Sequence, residues 1–257
     1  MTNERLYEIR NNHRGTPMQI IRYNNWNDID IQFLDEFQYI KEHQTYSNFK
    51  SGSIKNPYDR NVYGIGYLGE GNHIIKIGLD KSQPYKAWHE MIARCYAEKK
   101  KDTFPAYYNI CTVCDEWLCY NTFADWYVEN QYEVNERLHL DKDILFAGNK
   151  IYAKDKCLLV PQRLNMMFMN KPNNRGLPNG IRKYKNGYLA KYNQEELGIF
   201  PTVEDAYYEQ TKKKKEAIVQ LANEYKGTIP EKVYEAVIAY EFKIENDKNY
   251  VAQLAMK

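Results

Sequence analysis

Imidazole and carboxylate side chains alternate along one short segment near the middle of the chain. His139, Asp141 and Asp143 occupy every second position of the sequence LHLDKDIL. On a β-strand this spacing places all three side chains on one face. An aspartate can bind Mg²⁺, whereas its ordinary pKa of about 4 makes it a poor base for activating water at neutral pH. The two aspartates are equally compatible with a polar strand edge that Lys142 caps.

Basic residues recur in a second strand-like segment, GIRKYKNGYLAKYN, which begins at Gly180. Strand alternation leaves one set of side chains on an open side, namely Arg182, Tyr184, Lys191 and Asn193. The opposite set should face a supporting helix and comprises Ile181, Tyr188, Ala190 and Tyr192. Such an open face fits DNA. An ordinary solvated sheet face, with Arg182, Lys183, Lys185 and Lys191 in water, is the alternative.

The cysteines offer a possible metal site. Five of them, an odd number, cluster in the middle of the chain, unlike the disulfide framework of a secreted protein. Cys111 and Cys114 form a CxxC pair, with Cys119 and Cys157 as further thiolates for a tetrahedral Zn²⁺. A second CxxC is missing, and a cysteine on a helix that buries tryptophan is more often a small core residue than a ligand. We therefore do not expect zinc.

Hydrophobic periodicity predicts the elements of the first half of the chain. Residues 18–23 and 29–33 should pair as a β-hairpin across an Asn-rich turn. Residues 37–49 should form a further extended segment. One helix is predicted in PYKAWHEMIARCYAEKKK, with Pro84 in its first turn, and a second over residues 115–130. These helices carry regularly spaced aromatic residues and should pack together.

The last third of the chain carries local signals for three strands, a capped helix and one more helix that Pro230 starts. Asn186-Gly187 is a strong hairpin signal between two strand-length halves, and LGIFPT supplies a third strand. Thr202, with Asp205 three positions later, should cap a helix of about twenty residues. Residues 212–215, all lysines, should lie in water. The helix should direct one face toward the sheet, through Ala206, Ala217, Ile218, Leu221 and Tyr225.

This unit, from Gly180 to Tyr225, resembles the AP2 DNA-binding domain of plant transcription factors and many phage proteins. The match is carried by Gly180-Ile181-Arg182, Tyr188-Leu189-Ala190, Leu197-Gly198-Ile199-Phe200 and the Thr-Val-Glu-Asp-Ala helix start. In that family the open sheet face enters the major groove. The resemblance implies a double-stranded DNA partner and these contact residues: Arg182, Lys183, Tyr184, Lys185, Lys191 and Asn193. The chain departs from the plant pattern at Lys191 and Asn193, so base preference does not transfer.

The segment LHLDKDILFAGNKIYAKDKCLLVPQRLNMMFMN, which begins at Leu138, resembles the ββα core of HNH endonucleases, particularly the phage and intron-encoded kind. Its strand should cover residues 138–145 and its helix should begin near Pro161. Those enzymes place a histidine base on the strand, a metal-bound aspartate or histidine beside it, an asparagine in the loop, and a histidine or asparagine on the helix.

The HNH resemblance implies catalytic roles for His139, Asp141 and Asn149, with Asp141 and Asp143 as ligands of Mg²⁺. The chain departs from the family because Asp141 stands where the catalytic histidine belongs. Cys157 also lies near the place of the last asparagine or histidine of the motif. We therefore expect a degenerate module that binds without cutting. An active Mg²⁺-dependent nicking endonuclease is the alternative.

The whole chain is predicted to be an α+β, multidomain protein. Its parts are a small β module over residues 1–60, an HNH-like domain over 61–172 and an AP2-like domain over 176–245. The formal charge is only +2, from 36 basic and 34 acidic residues, so affinity for DNA must come from local basic patches.

The expected function is that of a DNA-binding phage-type protein. The first residues lack the apolar core of a signal peptide, and no stretch approaches the roughly 20 apolar residues that span a bilayer. This predicts the cytoplasm of a bacterial host and no membrane association. A protein that binds and inhibits a host protein is a third hypothesis, and it would show no affinity for nucleic acid.

Overall fold

The computed structural model describes residues 5–250; residues 1–4 and 251–257, and with them the first residues of the predicted β module, lie outside the described part. The described chain mixes α-helices with mainly antiparallel strands in five small sheets. Its buried side chains form four clusters. The mixture of helices and strands agrees with the predicted α+β class. Among residues 5–250, no helix is both long and apolar enough to cross a membrane.

A four-stranded antiparallel sheet forms the N-terminal part. Its strands follow chain order: β1 (Ile9–Asn11), β2 (Pro17–Asn25), β3 (Asp28–Phe33) and β4 (Ile40–Gln44). The predicted hairpin is confirmed in β2 and β3, and its inward side chains build a separate small core with Phe49 and Ile54. The expectation of an extended segment over residues 37–49 is right only for β4. Thr45 accepts a hydrogen bond from the Asn48 N–H and so begins the short helix α1 (Tyr46–Ser51).

Two helices organise the largest core. A short hairpin, β5 (Lys76–Ile77) and β6 (Asp80–Lys81), precedes α2 (Gln83–Tyr96), and α3 (Tyr120–Asn130) packs against α2. The predicted helix over 115–130 is wrong in its first residues, which form a 3₁₀ turn (Asp115–Leu118). Cys119 is extended because it forms a parallel bridge with Tyr67, and this pairing interrupts the helix. Two tryptophans, Trp88 and Trp117, are fully enclosed between these elements.

The middle of the chain ends in a strand pair and a helix. Strand β7 (Thr112–Val113) pairs in parallel with β9 (Ile151–Tyr152), while β8 (Leu138–Asp141) is antiparallel to β10 (Leu158–Pro161), and α4 (Gln162–Phe168) follows. We call β8, β10 and α4 the ββα unit. The predicted strand over 138–145 is too long. It ends at Asp141 because the carboxylate of Asp141 accepts hydrogen bonds from the backbone of Asp143 and Ile144, which turns the chain.

A three-stranded antiparallel sheet follows, in the order β11 (Ile181–Tyr184), β12 (Gly187–Tyr192) and β13 (Glu195–Phe200). The predicted three strands are confirmed, but the first turn consists of Lys185 and Asn186, with φ +50° at Lys185. Gly187 lies inside β12. A Cβ there would lie 2.6 Å from the carbonyl oxygen of Phe200, so the glycine permits close approach of β13 rather than an unusual turn conformation.

The helix α5 (Val203–Glu224) begins at the predicted cap, where Thr202 Oγ1 accepts from the Asp205 N–H. Only its first turns, through Ala206 and Tyr207, pack on the sheet. The prediction that Ile218 and Tyr225 face the sheet is wrong. A helix of 22 residues is about 33 Å long, whereas strands of six residues span about 20 Å. The second half of α5 therefore overhangs the sheet and needs other cover.

That cover comes from the ββα unit and from a last helix, α6 (Glu231–Ala239). Ile218 and Ala222 of α5 lie in one buried cluster with residues from both, including Leu158, Val160, Leu164, Val233 and Val237. The second half of α5 consequently joins the C-terminal sheet to the middle of the chain through a shared apolar core.

Lys215 makes a further connection within this core, contrary to the prediction that residues 212–215 lie in water. Its ammonium donates to the carbonyl oxygens of Val237 (3.0 Å), Ile238 (2.6 Å) and Tyr240 (2.7 Å). The last carbonyls of α6 have no partner within the helix. Lys215 therefore fastens the C-terminal end of α6 to α5.

Residues 176–245 expressed alone provide a test of the shared core. We expect this fragment to show no cooperative thermal unfolding by circular dichroism, because Ile218 and Ala222 lose the part of their cover that the ββα unit provides. A longer fragment, residues 132–250, retains both sides of the core and should unfold cooperatively. A cooperative transition in the short fragment would contradict this account.

Candidate nucleic-acid interface

The side of the C-terminal sheet that faces away from α5 is uncovered. Arg182, Leu189 and Ile199 lie in one row across the three strands. Arg182 is exposed, Ile199 is 55% exposed, and Leu189 between them is only 3% exposed. We call this side, with Tyr184, the open face. Arg182 and Ile199 flank the apolar Leu189, so the surface of the open face combines charged and apolar side chains.

Two basic side chains lie beside the ring of Tyr184 at one end of the open face. The ring centroid lies 6.0 Å from the guanidinium carbon of Arg182 and 5.5 Å from the ammonium of Lys185. These distances allow cation–π attraction, which orients the long basic side chains at little cost. The turn at Lys185–Asn186 therefore holds two cations and an aromatic ring together.

Lys191 also lies on this side of the sheet, but it carries a partner. Its ammonium is 2.6 Å from a carboxylate oxygen of Glu196. The register shifts between Ala190 and Lys191, and this shift sets Glu196 directly opposite Lys191. The hydrogen bond and charge of Lys191 lower the pKa of Glu196. The pair is neutral, so the uncompensated charge of the open face comes from Arg182 and Lys185.

The remaining predicted contact residues lie elsewhere. Lys183 pairs with Tyr188 and points to the side opposite Arg182. Asn193 has φ +51° and lies in the turn between β12 and β13. This turn and the one at Lys185 lie at opposite ends of β12. The structure thus brings Arg182, Tyr184 and Lys191 to one face and separates Lys183 and Asn193 from them.

In the ββα unit, His139 of β8 contacts Asn165 of α4. The Asn165 Nδ2 lies 3.3 Å from His139 Nδ1, and donation from the amide leaves the ring hydrogen of a neutral histidine on Nε2. Burial, followed by Arg137 and Arg94, lowers the pKa of His139. The other amide atom, Asn165 Oδ1, is buried without a hydrogen-bond partner among the described residues.

Sequence reasoning missed Asn165. The available signal was its place, one turn into the helix that follows the second strand, where the HNH pattern has a histidine or asparagine. Cys157 was the sequence-based candidate for that place. Cys157 begins the run into β10 and is buried in the largest core, and burial raises the pKa of its thiol.

Asp141 is held by the backbone. Its Oδ1 accepts from the N–H groups of Asp143 (2.8 Å) and Ile144 (2.7 Å). Burial and the negative charge of Asp143 raise the pKa of Asp141 to about 6, against the opposing effect of these hydrogen bonds. One carboxylate oxygen therefore accepts the hydrogen bonds of the turn. Because the pKa is raised, ionisation of Asp141 near neutral pH destabilises the fold.

Asn149 and Lys142 close the loop after β8. The Asn149 amide donates to the carbonyls of Lys142 and Ile151, both at 2.8 Å, and its Oδ1 accepts from the Ile151 N–H. The buried Lys142 ammonium donates to Asp143 Oδ1 at 2.8 Å and to the Asn149 carbonyl. Both side chains thus stabilise the loop through hydrogen bonds to its backbone, and Lys142 also neutralises Asp143.

These residues do not fit a preformed Mg²⁺ site. Among residues 5–250, one group of His, Cys, Asp or Glu brings three ligand atoms within 4.8 Å of one another, and it lies in the N-terminal sheet: Asp28, Asp30 and His43. His139, Asp141 and Asp143 form no such group. A metal at the ββα unit could meet Asp141 Oδ2, but Asn149 would have to release its backbone contacts to bind it.

The N-terminal group is already engaged by a protein cation, Arg22. Arg22 forms a two-point ion pair with Asp30 and also reaches Asp28 at 3.4 Å. The hydrogen bond from Arg22 lowers the pKa of Asp30, and those from Asn24 and His43 lower the pKa of Asp28. The ion pairs and hydrogen bonds of this group therefore link β2, β3 and β4.

The cysteines are packed as core residues. All five are reduced. Cys111 Sγ donates to the Ala106 carbonyl at 3.6 Å and Cys119 Sγ to the Leu68 carbonyl at 3.4 Å. Burial raises the pKa of the Cys95 thiol to about 12 and also raises those of Cys111 and Cys114. Among residues 5–250, no three of these thiols bring their sulfur atoms within 4.8 Å of one another, so they form no preassembled tetrahedral set.

No protein-family model, curated protein or solved structure matches this chain. Two features of the geometry bear on function: the open face of the C-terminal sheet, and the ββα unit with its neutral His139.

Asp141→Asn tests the cost of ionising the half-buried Asp141 carboxylate. Since the pKa of Asp141 is raised on folding, the folded chain binds a proton that the unfolded chain releases between about pH 4 and pH 6, and stability falls as pH rises through that window. The substitution keeps the accepting Oδ1. It should flatten this fall and raise the urea midpoint at neutral pH.

The exposed Asp155→Asn is the matched control and should leave both quantities unchanged. Lower stability of Asp141→Asn at neutral pH would show that the charge of Asp141 is favourable in the fold.

Proposed function

We propose that the chain binds double-stranded DNA through the open face of its C-terminal sheet. The observation that carries the proposal is an uncovered antiparallel sheet whose free cations, Arg182 and Lys185, surround an exposed tyrosine. The order of three strands and a capped helix agrees with the AP2 resemblance seen in the sequence. Arginine and tyrosine are both suited to contacting phosphates and base edges.

The dimensions of the sheet support a duplex partner. Neighbouring strands lie about 4.8 Å apart, so the outer strands are separated by about 10 Å, and the major groove of B-DNA is about 12 Å wide. Arg182 on β11 can bond bidentately to guanine, while Ile199 on β13 can contact a thymine methyl group. The shared core beneath α5 holds the sheet in a fixed orientation, which reduces the ordering cost of docking.

The ββα unit is proposed to be a degenerate HNH-like module that adds contacts without cutting. Asp141 Oδ1 and Asn149 Oδ1 each accept from the backbone, and Lys142 neutralises Asp143. With the Asn165 amide donating to Nδ1, the hydrogen of a neutral His139 lies on Nε2, which in this tautomer can donate to a phosphate oxygen but cannot accept a proton from water.

Arg182→Ala tests the open face. We expect it to weaken binding to duplex DNA by about 5- to 150-fold, since a good base contact is worth about 1–3 kcal/mol. Lys183→Ala is the matched control, because Lys183 is adjacent in sequence yet points to the other side. Fluorescence anisotropy at several salt concentrations measures both. Equal effects of the two substitutions would contradict the proposed face.

A plasmid assay separates binding from nicking. We expect supercoiled DNA to remain intact with Mg²⁺ or Mn²⁺, because the ββα unit lacks a ready metal site. Nicking that disappears in His139→Ala or Asp141→Ala would establish the nickase instead. A chain that binds no duplex yet co-purifies with a host protein would favour the inhibitor hypothesis.

A further inference from the structure

A broad groove separates the ββα unit from the C-terminal sheet. It has a volume of about 760 Å³, and the chain around α4, the strands β11 and β12 and the helix α5 all contribute to its walls. This volume lies within the range of about 300–1,000 Å³ that is usual for ligand sites. The groove is thus large enough to hold a ligand, and it lies beside the open face.

Positive charge dominates the groove. Six cationic side chains line it: Arg175, Arg182, Lys191, Lys214, Lys243 and Lys248. Two carboxylates also line it, and both have other partners. Asp143 is paired with Lys142, and Asp247 accepts from Asn170 Nδ2 (2.7 Å) and from the N–H groups of Asn249 and Tyr250.

Most of these cations lack a compensating anion. Within residues 5–250, Lys191 is the one member of the six whose charged atoms lie within 4.0 Å of a carboxylate. Lys214 is half-buried over the Phe242 ring, at 4.7 Å, and no hydrogen-bond acceptor is within reach among the same residues. Burial lowers the pKa of Lys214, while the more distant Asp247 opposes that effect. Cations that converge without partners repel one another, and a polyanion would relieve that cost.

One part of the wall is apolar, while asparagine, glutamine and threonine side chains also line the groove. Met166 and Met169 are 53% and 56% exposed, and Tyr240 and Phe242 are half-buried beside them. Aromatic and thioether surfaces next to cations suit unstacked bases, whose faces can pack on the wall while their phosphates meet the lysines. A duplex hides its base faces, so its backbone alone would leave this apolar wall without a partner.

We infer that the groove binds a single strand of nucleic acid that continues from the duplex on the open face. The inference rests on the proposed DNA binding, and Arg182 joins the two sites because it lines both the groove and the surface beside Tyr184 and Ile199. Lys214 and Lys243 contact phosphates, and the wall around Phe242 receives bases. The ligand class is therefore a junction between double-stranded and single-stranded DNA.

Binding of the full chain to three labelled probes tests this inference: a blunt duplex, the same duplex with an oligothymidine tail, and the same duplex extended by base pairs of equal length. We expect the tail to raise affinity about tenfold or more, and the double-stranded extension to give no such gain. Each neutralised phosphate of a single strand changes the slope of log K against log salt by about 0.7, so Lys214→Gln with Lys243→Gln should reduce the slope for the tailed probe by about 1.4.

Lys212→Gln with Lys232→Gln is the control, since both lysines are exposed and outside the groove. It should keep the whole gain from the tail, and thermal melts check that each variant is folded. The inference is overturned if the groove variant also keeps the gain, if the tail gives none, or if the double-stranded extension gives the same gain. Failure of the wild-type chain to bind the blunt duplex would instead refute the proposed function of the open face.

Discussion

The mismatch in length between α5 and its sheet governs the C-terminal half of the molecule. The first turns of the helix cover the sheet through Ala206 and Tyr207, and the rest extends beyond the sheet edge. Apolar side chains on that overhang have to be buried elsewhere, and burial of one such residue contributes roughly 1.5–3 kcal/mol. The ββα unit and α6 supply the cover. The position of the sheet relative to the ββα unit is consequently set by packing rather than by a flexible linker.

This arrangement has two consequences for recognition. It leaves the second side of the sheet free, since the helix needs only the first, and it opens a groove where the sheet and the ββα unit diverge. The two basic residues at this surface differ in whether a carboxylate compensates their charge. Glu196 neutralises Lys191, whereas Arg182 keeps its full charge at the boundary between open face and groove. A net charge of +2 for the chain conceals this local concentration.

Local patterns predicted the elements well where the cause is local. The β2–β3 hairpin follows from alternation, and the start of α5 follows from Thr202 and Asp205, which meet within a single turn. Side-chain roles that depend on distant partners were not predictable. Lys215 looks solvent-exposed in sequence, yet its acceptors are carbonyls more than twenty residues away. Lys191 is paired because a β-bulge changes the register.

The candidate catalytic residues illustrate the same limit. The spacing of His139 and Asp141 predicted a shared strand face, but spacing carries no information about how each side chain is engaged. Asp141 ends its strand by capping a turn, and Asn149 closes a loop with all of its amide atoms. Asn165, the residue that does contact His139, is contributed by a helix 26 positions away. The contact between Asn165 and His139 forms only when β8 and α4 pack together.

Hydrogen–deuterium exchange of the full chain with and without a duplex tests the central claim most directly. A duplex seated on the open face should slow amide exchange in the strands between Ile181 and Phe200 and leave the N-terminal sheet, β1 to β4, unchanged. Unchanged exchange in β11 to β13 under conditions where DNA is bound would contradict the account, because binding would then use another surface.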